Sequence, residues 1–278
     1  RQPRGVFHRL EQMKTSALFM TAVAVVTAAG GALVIGGVVL NRTSADRIDD
    51  WRMQAISRHQ PLANVRLQVA QAFGNRPARI ALAQVLIADP DIGEVQRGIS
   101  LLRRVAQDGD ARAQLQLGRL YLKGRSGLDA DYAESRRWFV MAARSTGPLL
   151  ANADEPASPD DAPAGYAALY LASIYRNGYG VAKDDRAAIN WLIKAANAGV
   201  PQAQFQLANV YREGGVVERD DAQALHWLRL AGKGELPEAN LALAIAYRNG
   251  ELGLHADNDQ YWSYVKETAH DYKHRAAQ

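Results

Sequence analysis

A period of 36 residues runs through the C-terminal half of this chain. Tyr175, Tyr211 and Tyr247 are 36 apart, and so are Gly178, Gly214 and Gly250. Trp191 and Trp227 keep the same interval, as do Pro201 and Pro237, and Ala203 and Ala239. Several residue types in phase at one period mark stacked copies of one supersecondary unit. An earlier copy occupies residues 111–147 and contains Trp138. Its Tyr121 precedes Tyr175 by one period plus 18 residues. The extra stretch, residues 148–165, reads PLLANADEPASPDDAPAG, whose prolines and acids read as a loop inserted between units. A degenerate copy ends at residues 99–109, with Leu101 where the others carry tryptophan.

Each unit reads as two helices. In the first, Ala203, Leu207, Val210 and Tyr211 recur at helical spacing; in the second, Ala224, Trp227, Leu228 and Ala231 do so. Gly178, Gly214 and Gly250 fall where a first helix must end in a left-handed residue. Asp184, Asp220 and Asp257 stand just before the second helix, where a carboxylate can cap free amides. Alanines allow close approach of paired helices, and Trp191 and Trp227 are expected to fill the gap between neighbouring units. A unit of this size cannot bury its apolar faces alone, so the copies must stack.

The pattern A-x-A-x-x-x-L-[GA]-x-x-Y-x-x-G…D…W-x-x-x-A-A resembles the Sel-like repeats, relatives of the tetratricopeptide repeats. Its clearest copy is residues 166–199, with YRNGYGV, Asp184, Trp191, Ala195, Ala196 and Gly199. The likeness covers about residues 78–262. It implies an all-α, right-handed α-solenoid of helix-turn-helix repeats and a role in protein binding. Some cysteine-rich members tie each unit with a disulfide; this chain has no cysteine, so nothing specific to them carries over.

The N-terminal part reads differently. Ala17 to Leu40 is ALFMTAVAVVTAAGGALVIGGVVL, without a charge and with only Thr21 and Thr27 polar. As a helix it would span roughly 36 Å, enough to cross a bilayer. It is too long for the apolar core of a signal peptide and ends without a clean cleavage site. The sequence therefore predicts a single transmembrane helix over 17–40, preceded by a basic flank, 1–16. Ala24, Ala28, Ala32 and Gly36 recur every four residues and would let a second membrane helix approach, for self-association or association with another chain. Residues 44–77 read as membrane-proximal helices, with Ser44 as a cap and Pro77 in a first helical turn. The repeats take 78–262 and a C-terminal capping helix takes 263–278.

Charge excludes one class of partner. Arg1, Arg4, Arg9, Lys14 and Arg42 against the single acid Glu11 account for the excess of 33 basic over 29 acidic residues, so the rest of the chain is neutral. A nucleic-acid binder concentrates positive charge on its folded domain; this chain keeps it beside the apolar run. Arginines flank both sides of that run, so the positive-inside rule does not fix orientation. The expectation adopted is a bacterial-type inner membrane, single pass, with the repeats in the periplasm.

No catalytic signature is present: no HExxH, no P-loop, no GxSxG and no dinucleotide fingerprint. No metal or cofactor is expected. His270 and His274 are four apart but sit in a polar helix beside Lys273 and Arg275. The pairs Asp184–Asp185 and Asp220–Asp221 recur at one place in each unit, which capping explains better than acid–base chemistry. The acids Asp154, Glu155, Asp160 and Asp161 read as a solvated loop.

The functional candidates are exposed first-helix positions. Arg176, Arg212 and Arg248 follow each repeat tyrosine, with Asn177 and Asn249 beside them. A second row is Gln116, Tyr170 and Gln206. The reading is a non-enzymatic, membrane-anchored scaffold or adaptor that binds other proteins of an envelope assembly, such as a secretion or conjugation machine. An accessory subunit of a polysaccharide synthesis or export complex is an alternative. A cell-wall or β-lactam hydrolase is a third, weighed down by the lack of a nucleophile constellation.

Overall fold

The computed structural model describes residues 43–58, 60–125, 127–145 and 162–277. The expected membrane helix with Ala24, Ala28, Ala32 and Gly36, the basic flank and the acidic loop lie outside the described residues. Among those described, no helix is long and apolar enough to cross a membrane.

The described residues form twelve helices and no strand. They are α1 (Ala45–Ser57), α2 (Pro61–Ala72), α3 (Arg76–Ala88), α4 (Ile92–Gln107), α5 (Ala111–Lys123), α6 (Tyr132–Arg144), α7 (Pro163–Asn177), α8 (Asp185–Asn197), α9 (Pro201–Glu213), α10 (Asp221–Lys233), α11 (Pro237–Asn249) and α12 (Asn258–Ala277). The chain divides into two compact units at Leu101/Leu102, within α4.

The first unit is built from α1, α2 and α3, which pack on one another around Ile48, Trp51, Leu67, Leu82 and Leu86. Asn75, 2% exposed, is the hinge of its α2–α3 corner. Its side-chain oxygen accepts from the Ala78 amide at 2.8 Å and caps α3, while its amide donates to the Thr43 carbonyl at 3.3 Å. Ser44 stands at the start of α1 but makes no capping bond with its side chain, so the expected Ser44 cap is corrected. Pro77 does sit in the first turn of α3, where its missing N–H costs nothing.

The second unit is the repeat array. Its helices pack as consecutive hairpins, α5 with α6, α7 with α8, α9 with α10 and α11 with α12, each hairpin against the next. One clasp recurs in every hairpin. The amide of the capping aspartate donates to the carbonyl of the repeat tyrosine: Asp131 to Tyr121, Asp184 to Tyr175, Asp220 to Tyr211 and Asp257 to Tyr247, all at 2.8–2.9 Å. The same aspartates cap the following helix through their carboxylates, as Asp184 does with Ala187 N at 2.9 Å and Asp220 with Gln223 N at 2.9 Å. Tyrosine and aspartate thus share a period because the backbone at one closes on the backbone at the other. Gly178 and Gly250 end their helices in the left-handed region (φ 71° and 69°). Gly214 keeps the positive φ, 73°, but turns to ψ −160°, so it is not the left-handed helical cap the sequence suggested.

The core runs between hairpins. Phe139, Leu171, Ile174, Leu192 and Leu207 form one buried cluster; Leu228, Leu236, Leu243 and Leu252 form the next. Trp227 and Tyr211 touch both and link them. Trp138 is buried, whereas Trp191 and Trp227 are only half-buried, with Lys194 Nζ 5.4 Å over the Trp191 ring. Trp227 thus stands between neighbouring units as expected, while the degree of burial differs among the three tryptophans. Two further boundaries move. Helix α7 opens at Pro163, so residues 163–165 belong to a helix and not to the insert; Gly165 there lies against Ala198 and Val200. The last helix begins at Asn258, five residues before the expected capping helix, because Asp257 accepts from Asp259 N at 2.9 Å and Gln260 N at 3.0 Å.

Candidate functional site

Buried polar residues near the hairpin junctions are committed to structure. The side-chain amides of Gln114 and Gln204 donate to Ala106 O (2.9 Å) and Ala196 O (3.2 Å), satisfying carbonyls at the end of the preceding helix. Asn240, one period after Gln204, instead reaches forward to Asp271 Oδ2 of α12 at 2.8 Å. Both partners are buried, at 3% and 6% exposure. That pair fastens the terminal helix. A stack of Tyr247 on Tyr264, ring centroids 5.6 Å apart, adds to it, with Arg229 Nη2 donating to Tyr247 Oη at 3.2 Å. Burial pushes the Tyr264 phenol above its ordinary value of 10.0; Tyr247 and Glu267 add to this and Arg229 opposes it.

The two aspartates of each pair turn to different partners. Asp184 and Asp220 are turned to their caps, Asp185 faces Lys183 at 3.5 Å, and Asp221 accepts from Arg219 Nε at 2.9 Å. That hydrogen bond holds the exposed Asp221 carboxyl below its usual value. The rings of His270 and His274 are 4.6 Å apart, with Asp271 and Glu235 at 3.7 Å and 3.9 Å. Among the described residues no group of three or more such side chains is arranged to hold a metal.

The structure separates the candidate binding residues. Arg176, Arg212 and Arg248 are all exposed. Arg176 and Gln206, drawn from the two different rows, line one cleft of about 470 Å³ together with Lys183, Asn209, Glu213 and apolar Ile189, Val210 and Val216. A larger hollow of about 720 Å³ adjoins it, sharing Lys183, Asp185 and Val216 and adding Tyr175. The two hollows lie where the α7–α8 turn faces α9 and its following turn. Arg212 lines neither hollow, and Arg248 lies 5.6 Å over the Tyr261 ring instead. Tyr170 is turned inward: its ring stacks on Phe139 at 4.8 Å and 3°. Gln116 is half-buried. The amide of Asn177 donates back to Ser173 O at 2.9 Å, and that of Asn249 to Glu251 Oε1 at 2.8 Å, so both serve their own turns. Sequence reasoning passed over Lys183, Ile189, Asn209 and Val216. The signal for Asn209 was its place beside the repeated Ala208, and for Lys183 its basic counterpart Arg219 one period on; Val216 carries no periodic signal.

Comparison with known proteins bears on the fold. The Sel1 repeat model matches residues 111–146, 165–200 and 201–235. A Sel1 repeat protein from Oxalobacter formigenes superposes with a TM-score of 0.59 at 23% identity, over 74% of this chain and 76% of that one. An immunity protein from Pseudomonas aeruginosa aligns over 81% of this chain and 82% of that one, at 15% identity and a TM-score of 0.49. No protein of curated function matches the chain. These likenesses concern the fold alone. Three matched copies, each folded as a hairpin closed by the tyrosine–aspartate clasp, lead to one conclusion: residues 111–146, 165–200 and 201–235 of this chain are Sel1 repeats.

Proposed function

We propose that the chain is a membrane-anchored scaffold whose repeat array holds segments of other proteins within an envelope assembly, such as a secretion or conjugation machine. Sel1-repeat proteins are protein-interaction scaffolds, and the repeat array supplies that role here. The observation that carries the reading is the cleft in which Arg176 and Gln206 meet across two neighbouring units. An exposed guanidinium beside apolar Ile189, Val210 and Val216 suits a peptide that offers a carboxylate or carbonyl next to an apolar side chain. A binding role is supported by the engagement of Asp184 and Asp220 in caps and of Asp185 and Asp221 in ion pairs. Anchoring rests on the charge-free run Ala17–Leu40, and a periplasmic repeat array is the matching location.

The test is a triple change of Arg176, Arg212 and Arg248 to alanine in the full chain. Exposed charges contribute weakly to stability, so the melt should stay close to the parent's. Each arginine removed from a desolvated interface should weaken binding by roughly 1 kcal/mol or more, and affinity purification should lose native partners. A parental melt with every partner retained would move the binding surface elsewhere. Location is tested separately by fusing alkaline phosphatase or a fluorescent protein after Gln278; fluorescence without phosphatase activity would reverse the orientation.

A further inference from the structure

Helix α2 of the first unit is apolar on both sides. Ala63, Leu67 and Ala70 face the core, each at 1% exposure or less. Leu62, Val65 and Phe73 point outward at 71%, 44% and 38% exposure, with Val69 between them half-buried. At 100° per residue these four fall within one arc of about 80°, centred roughly 130° round the helix from the core stripe. Single exposed apolar side chains are ordinary on any surface, but a ridge along one helix is not. An apolar ridge standing beside a core stripe on one helix marks a contact with protein or with lipid.

Charge and connection say what covers it. From Trp51 to Ala88 the chain has Arg52, Arg58, Arg66, Arg76 and Arg79 and neither Asp nor Glu. Arg58, Arg66 and Arg76 are exposed, the Arg66 guanidinium lying 5.8 Å over the Trp51 ring. The path of the chain leads to the same place: Asn75, two residues after Phe73, holds the carbonyl of Thr43. Thr43 stands only three residues after Leu40, the last residue of the charge-free run. Thr43, the first described residue after that run, is therefore held at the Phe73 end of the ridge.

We propose that this ridge docks on the surface of an anionic phospholipid bilayer, with Leu62, Val65 and Phe73 entering the headgroup boundary and Arg58, Arg66 and Arg76 on the phosphates; this rests on the anchored reading above. An interfacial helix binds through buried apolar side chains together with basic residues on anionic lipid. Docking holds the first unit flat on the membrane, and the anchor and the ridge act as two attachments of one chain.

The chain has no cysteine, so one probe can be placed at a time. The full chain carrying Leu62→Cys, Val65→Cys or Phe73→Cys, labelled with an environment-sensitive NBD fluorophore, is reconstituted in phosphatidylcholine–phosphatidylglycerol vesicles. The expected result is quenching by doxyl-labelled lipid and shielding from aqueous iodide. In pure phosphatidylcholine, or with R58Q/R66Q/R76Q, the docked-to-undocked ratio should fall, by roughly fivefold for each arginine removed. Vesicle-bound protein whose labels remain open to iodide overturns docking and leaves the anchor intact. Labels shielded from both quenchers mean that protein covers the ridge, which also overturns it. A chain that alkaline carbonate strips from the vesicles overturns the anchor, and the docking with it.

Discussion

Replacing Gly118 by alanine should destabilise the repeat array, although glycine to alanine inside a helix ordinarily stabilises by about 1 kcal/mol. A Cβ built at Gly118 would lie 2.5 Å from Phe139 Cδ1 and Cε1. Neither side can retreat. The Gly118 carbonyl accepts from the buried Ser135 hydroxyl at 2.8 Å, and Phe139 is backed by the stacked Tyr170 ring. Overpacking of this kind costs about 1–3 kcal/mol. Set against the helix gain, the net loss for Gly118→Ala should be roughly 0–2 kcal/mol. The neighbouring units solve the same contact with other sizes: Ala172 with Leu192 and Ala208 with Leu228, all fully buried. Phe139→Leu alone should cost about 1–2 kcal/mol, for the space it opens and the missing stack on Tyr170. The double change rebuilds the pair its neighbours use, so the two losses should not add. A coupling of about 1–3 kcal/mol in favour of the double variant is expected. Urea melts of the four proteins at one concentration read this directly. If the losses add to within about 0.5 kcal/mol, the two sites do not share one volume and the packing argument fails.

Three further outcomes follow from the same structure. Trp138→Ala should lower stability by roughly 3–5 kcal/mol and Trp191→Ala or Trp227→Ala by clearly less, since only Trp138 is buried; equal losses in thermal melts would contradict that ranking. Asn240→Ala leaves the Asp271 carboxylate buried without its donor, at a cost of about 1–3 kcal/mol, and should speed hydrogen exchange in α12 before that in α9; uniform exchange across the array would argue against a fastened terminal helix. Tyr264 has its folded pKa raised above 10.0, so its contribution to stability is whole below pH 10 and is lost as pH rises through the folded value; a parent and a Tyr264→Phe variant with the same alkaline melting profile would remove Tyr264 as the cause.

The sequence by itself determined the repeat. A 36-residue period in tyrosine, glycine, aspartate and alanine leaves one economical solution, a hairpin copied along the chain, because each of those residues performs a backbone task that local geometry dictates. Glycine supplies positive φ, aspartate caps, and alanine permits close approach. The helices that precede the repeats were legible for the same reason, their apolar spacing and Pro77 being local signals. What tertiary structure decided was everything set by packing between units. Trp138, Trp191 and Trp227 share a letter and a phase, yet only Trp138 is buried, since burial depends on the neighbour that covers each ring. Tyr170 was a candidate for partner binding until Phe139, larger than Leu192 or Leu228 at the equivalent place, drew its ring into a stack. Arg176 and Gln206 came from two rows with no sequence link, and only hairpin packing put them in one cleft. Arg248 left its row for the Tyr261 ring, which α12 alone provides. Periodicity encodes what each unit does for itself. A side chain's final surroundings depend on the residues of the next unit, and those vary where the period does not.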